Sequence, residues 1–156
     1  MHYYQLGKIP KKRHTTFRKE DGSLYSEQLI STEGFSNIAS LTYHIHPPTL
    51  VKKVEDPINA EPKIVDRNNM LHRSYLTWNV APEDDFLKSR KLLLLNNDVK
   101  LGMAAPRKSP DYFYKNADAD EVLFIHKGSG TLHTMYGTLH FGYGDYLVIP
   151  RGTIYQ

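Results

Sequence analysis

Cysteine is absent from the 156-residue chain, which removes disulfides and every thiolate metal site at once. Tryptophan occurs once. No apolar run reaches the roughly 20 residues that a membrane-spanning helix requires, and the polar, tyrosine-containing start MHYYQLGKIP lacks the apolar core of a secretory leader. Neither sign of charge dominates: 20 Lys and Arg stand against 17 Asp and Glu, a net +3 with histidine neutral. That excess is too mild for nucleic-acid binding, which concentrates Lys and Arg on one face. No nucleic acid and no membrane are therefore expected as partners, and a cytoplasmic protein is expected. Also missing are internal repeats, low-complexity segments, a P-loop, a Gly-x-Gly-x-x-Gly turn, a nucleophile elbow and a His-Glu-x-x-His helix.

What is present points to β structure. The length allows one domain with a real core, although the hydrophobic fraction is 40% and the mean hydropathy is −0.53. Eleven Tyr against six Phe suit sheets whose rings are buried while their hydroxyls stay wet. The organising stretch is the last third, Asp120 to Gln156. Glu121 to His126, Thr131 to Met135, Thr138 to Phe141 and Tyr146 to Ile149 read as short strands. Lys127-Gly128-Ser129-Gly130, Tyr136-Gly137, Gly142-Tyr143-Gly144-Asp145 and Pro150-Arg151-Gly152 separate or end them. Short strands with glycine at the junctions predict an antiparallel sandwich or barrel.

Towards the start, Lys11-Lys12-Arg13-His14 followed by Arg18 and Lys19 reads as a solvated face, or as a basic arm gripping an acidic group. Asp21-Gly22 between Thr15-Thr16-Phe17 and Leu24-Tyr25 predicts a hairpin, and Glu33-Gly34-Phe35 a turn. Ile38 to His46 alternates, with Ala39, Leu41, Tyr43 and Ile45 on one face and His44 and His46 on the other. Two imidazoles on one face could bind a metal, yet no third ligand can be named, so a structural role is expected. Leu50 to Asn69, with Pro57 and Pro62, reads as a long loop suited to subunit contacts. Leu71 to Val80 reads as a strand on which His72 and Arg73 could line a site. Pro82 to Phe86 could open a short helix, and Arg90 to Asn97 reads as a buried strand. Val99 to Ala105 continues as strand until Pro106, and three consecutive aromatics, Tyr112 to Tyr114, precede the last third.

That last third resembles the cupin double motif. Glu121 leads to Gly128-Ser129-Gly130 as in the first cupin motif, and Gly144, Pro150 and Gly152 follow the spacing of the second. The turn-forming residues match, but the metal ligands do not. The His-x-His pair of a metal-binding cupin aligns with Tyr114 and Asn116, and its fourth ligand with Tyr155. Of the ligand set only Glu121 is kept, and a hydrogen-bonded or surface carboxylate is expected there. Tyrosine can bind ferric iron, but Asn is a poor ligand and the combined set suits no common divalent metal. The expectation is a cupin-like jelly-roll sandwich or barrel, incomplete at its C-terminal end, that keeps the fold without a metal.

The front end carries a second resemblance. Tyr4-Gln5-Leu6-Gly7-Lys8-Ile9-Pro10, Lys12-Arg13-His14-Thr15, Phe17-Arg18 and Asp21-Gly22-Ser23-Leu24-Tyr25 are similar to the opening of homogentisate 1,2-dioxygenases. So are Thr32-Glu33-Gly34-Phe35-Ser36 and Tyr43-His44-Ile45-His46-Pro47-Pro48-Thr49. The resemblance implies an enzyme that opens the ring of homogentisate with ferrous iron and dioxygen, giving maleylacetoacetate in tyrosine and phenylalanine breakdown. It implies an iron held by two His and one Glu in the later part of a longer chain, and a higher oligomer. On this reading, residues 1–36 form an N-terminal hairpin arm and residues 37–156 a cupin-like domain. The chain would scaffold the C-terminal catalytic part, with no catalytic residue and no iron of its own. The abrupt end after Tyr155-Gln156 suggests a portion of a longer protein or a truncated product rather than a natural short relative, and an unpaired last strand is expected. Two other classes remain open. One is a free-standing, metal-free cupin that binds a small ligand or a partner. The other is an isomerase using His126, His133 and His140 as proton carriers.

Overall fold

The computed structural model describes residues 16–48, 51–57, 59, 61–65 and 72–156. The basic cluster at 11–14, the first blocks of the second resemblance, and Leu50 and Leu71 lie outside the described residues. The strands are β1 (Ser26–Glu33), β2 (Ser36–His44), β3 (Lys91–Leu95), β4 (Lys100–Met103), β5 (Tyr114–Lys115), β6 (Glu121–Phe124), β7 (Gly130–Thr134), β8 (Gly137–Phe141), β9 (Tyr146–Ile149) and β10 (Ile154–Tyr155). Among the described residues, one short helix, α1 (Phe86–Ser89), and a 3₁₀ turn at Thr77–Asn79 complete the elements. The fold is all-β, built from antiparallel ladders, and is consistent with a cupin-like architecture. A four-stranded sheet runs in the order β5-β10-β7-β8, and β1-β2, β3-β4 and β6-β9 are two-stranded. No barrel closes among the described residues. The chain divides into two compact units, residues 1–55 with 115–155, and residues 56–114 with Gln156.

In the first unit, the hairpin expected at Asp21-Gly22 forms. Arg18 bridges Leu24, the Asp21 carboxylate accepts from Ser23 N at 2.9 Å, and Gly22 takes φ 82°. Glu33 and Ser36 then close β1 onto β2, which pair from Ser26↔His44 to Ser31↔Ala39 before a shift in register. The strand stops at His44. Ile45 and His46 lie beyond the ladder, so the two histidines do not share a strand face, as the alternation had implied. The prolines that follow cannot donate to a ladder.

The last third folds as the spacing of its glycines predicts. β7 pairs with β8 in unbroken register from Gly130↔Phe141 to Thr134↔Gly137, and β6 pairs with β9 from Glu121↔Ile149 to Phe124↔Tyr146. At Gly130 a Cβ would stand 2.7 Å from the Phe141 ring, so the glycine lets the opposite aromatic cover its backbone. Leu132, Leu147, Ile149 and Tyr155 are buried, and alternation along β9 puts Leu147 and Ile149 inside and Tyr146 and Val148 outside. Each buried Leu or Ile stabilises by roughly 1.5–3 kcal/mol. The last strand is not an edge: β10 lies between β5 and β7, with Tyr155 opposite Thr134.

The second unit departs further from expectation. Residues 72–80 form no strand. Instead Asn79 N and Val80 N donate to Leu76 O and Thr77 O, each at 3.1 Å, winding a 3₁₀ turn that leaves Leu76 and Trp78 exposed. A strand needs a partner ladder to satisfy its backbone, and here Thr77, Asn79 and Val80 donate to local carbonyls instead. The short helix at α1 does form. Asp85 caps it by accepting from Lys88 N at 2.8 Å, and the Ser89 hydroxyl returns to Phe86 O at 2.7 Å. The leucine run is a strand, β3, but not a buried one. Among the described residues it pairs only with β4, and Leu92, Leu94 and Leu95 are 42%, 46% and 37% exposed. Residues 51–57 and 61–65 have no regular structure, as the loop reading anticipated.

Candidate functional site

The cupin ligand positions fall on β5 (Tyr114), directly after it (Asn116), on β6 (Glu121) and on β10 (Tyr155). Tyr155 points inward from β10 and is 4% exposed. Its hydroxyl donates to Glu121 Oε2 at 2.6 Å, a length typical of a bond to an acidic oxygen. The side chains stand 34 residues apart in sequence, and the antiparallel fold of β6 to β10 brings them together. Asn116 is engaged by its local backbone. Its Oδ1 accepts from Asp118 N at 3.0 Å and Ala119 N at 3.2 Å, and its carbonyl oxygen accepts from Gly152 N at 2.7 Å. Tyr114 belongs to the second unit, where the Arg90 guanidinium lies 5.3 Å from its ring centroid. Arg90 also lies 4.3 Å from the Phe86 ring.

These groups do not fit ferrous iron. A site of that kind draws on two imidazoles and a carboxylate. Here the carboxylate accepts a phenol proton, and the amide oxygen is committed to a turn. Among the described residues, no group of three or more His, Asp or Glu is placed to hold a metal ion.

A protein of Saccharolobus solfataricus named "Putative dioxygenase" is 35% identical to this chain over 155 residues, 98% of the chain and 40% of the relative. The chain is similar to a dioxygenase. It spans less than half the length of that curated relative. No family model matches the sequence, and no solved structure matches it.

The histidines are dispersed. The His44 Nε2 lies 2.9 Å from Gln28 Oε1 and 3.0 Å from Thr42 Oγ1, so the imidazole is tied into the β1-β2 ladder. Nothing in the sequence announced Gln28 as its partner, because the pairing depends on strand register. His44 and exposed His46 line an open cavity of about 360 Å³ with Tyr43 and Pro47. His133 and His140 share the exposed face of β7 and β8, each opposite a threonine: His133 Nδ1 lies 3.2 Å from Thr138 Oγ1, and His140 Nδ1 lies 3.1 Å from Thr131 Oγ1. His126 follows β6, its ring 6.2 Å from Phe124 and 6.4 Å from Tyr143. The isomerase candidates are therefore exposed sheet and turn residues. His72 and Arg73 are exposed and lie outside any strand. No helix among the described residues is long and apolar enough to cross a membrane.

Proposed function

We propose that this chain is the N-terminal, scaffolding portion of an enzyme of the homogentisate 1,2-dioxygenase type. Such an enzyme opens the ring of homogentisate to maleylacetoacetate, a step of tyrosine and phenylalanine catabolism. Ferrous iron supplies the oxygen chemistry and would be bound by a His and Glu set outside these residues. The partners of this portion are the C-terminal catalytic cupin part and further copies of the same protein, in the cytoplasm.

One observation carries the reading. The pair that a metal-binding cupin would devote to its ion, Glu121 and the residue at Tyr155, is closed by a 2.6 Å hydrogen bond, in a chain similar over 98% of its length to 40% of a longer dioxygenase relative. A protein built of two cupin-like parts needs a metal in one of them only. The other can then spend its central carboxylate on packing. The blocks around Asp21-Gly22, Glu33-Gly34-Phe35 and Tyr43 to Pro48 support the choice of homogentisate over other ring-cleavage substrates.

The test is an assay of the 156-residue chain with ferrous iron, homogentisate and dioxygen, beside the product of the reading frame extended past codon 156. The chain alone is expected to give no ring cleavage and no stoichiometric iron in metal analysis, and the extended product to give both. Turnover by the chain alone would overturn the reading. So would a stop codon directly after position 156, which favours a free-standing binding module.

A further inference from the structure

The outer face of the β7-β8 hairpin carries two histidines and two threonines in a crossed pattern. Register places Thr131 opposite His140 and His133 opposite Thr138. Each imidazole therefore faces a hydroxyl across the strands, and the two imidazoles lie on a diagonal. Diagonal neighbours of an antiparallel pair stand about 7–8 Å apart, and less between Cβ atoms, within reach of long side chains. The hairpin holds this arrangement in place. At its turn the Thr134 hydroxyl donates to Gly137 O at 2.9 Å and accepts from Tyr136 N at 3.0 Å. Leu132, between the outward residues of β7, is buried on the opposite side. Tyr155, paired with Thr134, shares that inner side, so the histidine diagonal faces away from the Glu121–Tyr155 bond.

Both imidazoles meet their threonine through the same nitrogen. His133 Nδ1 lies 3.2 Å from Thr138 Oγ1, and His140 Nδ1 lies 3.1 Å from Thr131 Oγ1. Among the described residues, no hydrogen bond reaches either Nε2. When Nδ1–H donates to the hydroxyl, the ring's lone pair sits on Nε2. Metal-ligating histidines are held in this way, the second ring nitrogen donating to an oxygen that fixes tautomer and ring plane. Both histidines are exposed, so an ion reaches them without any opening of the fold. Imidazole nitrogen selects late first-row divalent ions such as zinc, copper and nickel over magnesium and calcium, which take oxygen ligands. We propose that His133 and His140 form a two-imidazole site for such an ion, typified by Zn²⁺, bound through Nε2 of each ring. Water completes the four positions that zinc takes. Structural and catalytic zinc sites use three or four protein ligands, so a two-ligand site holds its ion exchangeably. The proposal goes beyond the scaffolding role and does not rest on it, since it uses none of the cupin ligand positions.

Zinc chloride is the probe, titrated into the chain in buffer alkaline enough to keep imidazole neutral. The ring-proton resonances of His133 and His140 are expected to shift saturably and in step, with an affinity that calorimetry finds independent of protein concentration. His133→Gln and His140→Gln should each weaken binding at least about tenfold, because one imidazole then holds the ion without its neighbour. Thr131→Val and Thr138→Val keep the side-chain shape and remove the hydroxyl, and each should weaken binding about tenfold. His72→Gln should leave the affinity unchanged, and magnesium should not compete. Circular dichroism of each variant separates lost binding from lost fold. Equal zinc affinity in a folded His133→Gln/His140→Gln double variant would overturn the proposal, as would unchanged affinity in both threonine variants. Binding that strengthens with protein concentration would also overturn it, because the ion would then join histidines of two chains.

Discussion

The hydroxyl of Tyr155 ties β10 to β6, which belong to different sheets. It is buried, and it supplies a proton to the half-buried Glu121 carboxyl at 2.6 Å. Tyr155→Phe keeps the ring and its packing and removes that bond. A hydrogen bond of this kind contributes about 1–3 kcal/mol, so the urea midpoint should fall by the corresponding amount with an unchanged slope. Glu121→Gln retains an acceptor oxygen and should cost less. An unchanged midpoint in Tyr155→Phe would show that the bond is energetically idle. At this scale the sequence identified Glu121 and Tyr155 as two ligand positions, one in each motif of the cupin pair. That one serves the other could not be read from it, because a 34-residue separation is bridged only by strand pairing.

At the scale of elements, α1 is a single helical turn held by its cap. The Asp85 carboxyl is held below its ordinary value of 3.8 by the Lys88 amide first and by the Tyr112 hydroxyl second. Tyr112 donates to Asp85 Oδ2 at 2.8 Å. Burial, and then its bond to Asp85, pushes the Tyr112 phenol above 10.0. The signs follow from linkage. A depressed carboxyl contributes stability that is present above pH 3.8 and is lost as pH falls through the lower folded value. A raised phenol contributes stability that is present below pH 10.0 and is lost as pH rises through the higher folded value. Asp85→Asn should therefore differ from the parent in stability near neutral pH and converge on it in acid. Tyr112→Phe should flatten the alkaline limb. Denaturation midpoints measured from pH 2 to 11 check both. The acids near Pro82 were legible as a helix start because capping is local chemistry. The exposure of β3 was not, since four successive leucines look the same whether or not another layer covers them.

For the whole molecule, the informative surface is the outer face of β6 and β9. Val122 lies opposite Val148, and Phe124 opposite Tyr146, with these side chains 62%, 67%, 48% and 67% exposed. The Phe124 and Tyr146 rings are 4.7 Å apart. Contiguous apolar surface of this kind is characteristic of contact faces. The isolated chain should therefore self-associate at high concentration. Replacing the opposed pair with Val122→Glu and Val148→Lys supplies a cross-strand ion pair and should lower the light-scattering mass without lowering the denaturation midpoint. Equal association in parent and variant would exclude this face as the sticky one.

By itself, the sequence determined the all-β class, the turns and strands from Glu121 to Tyr155, the hairpin at Asp21-Gly22 and the start of α1. Each of these depends on contacts within a few residues: a glycine that admits positive φ, a carboxylate that reaches an amide three positions on, an alternation that sorts side chains to two faces. Tertiary structure alone decided that residues 72–80 form no strand, that β2 stops before His46, that β10 sits inside its sheet, and that Glu121 meets Tyr155. These outcomes depend on which distant backbone supplies the partner, and strand pairing satisfies or denies those partners across dozens of residues.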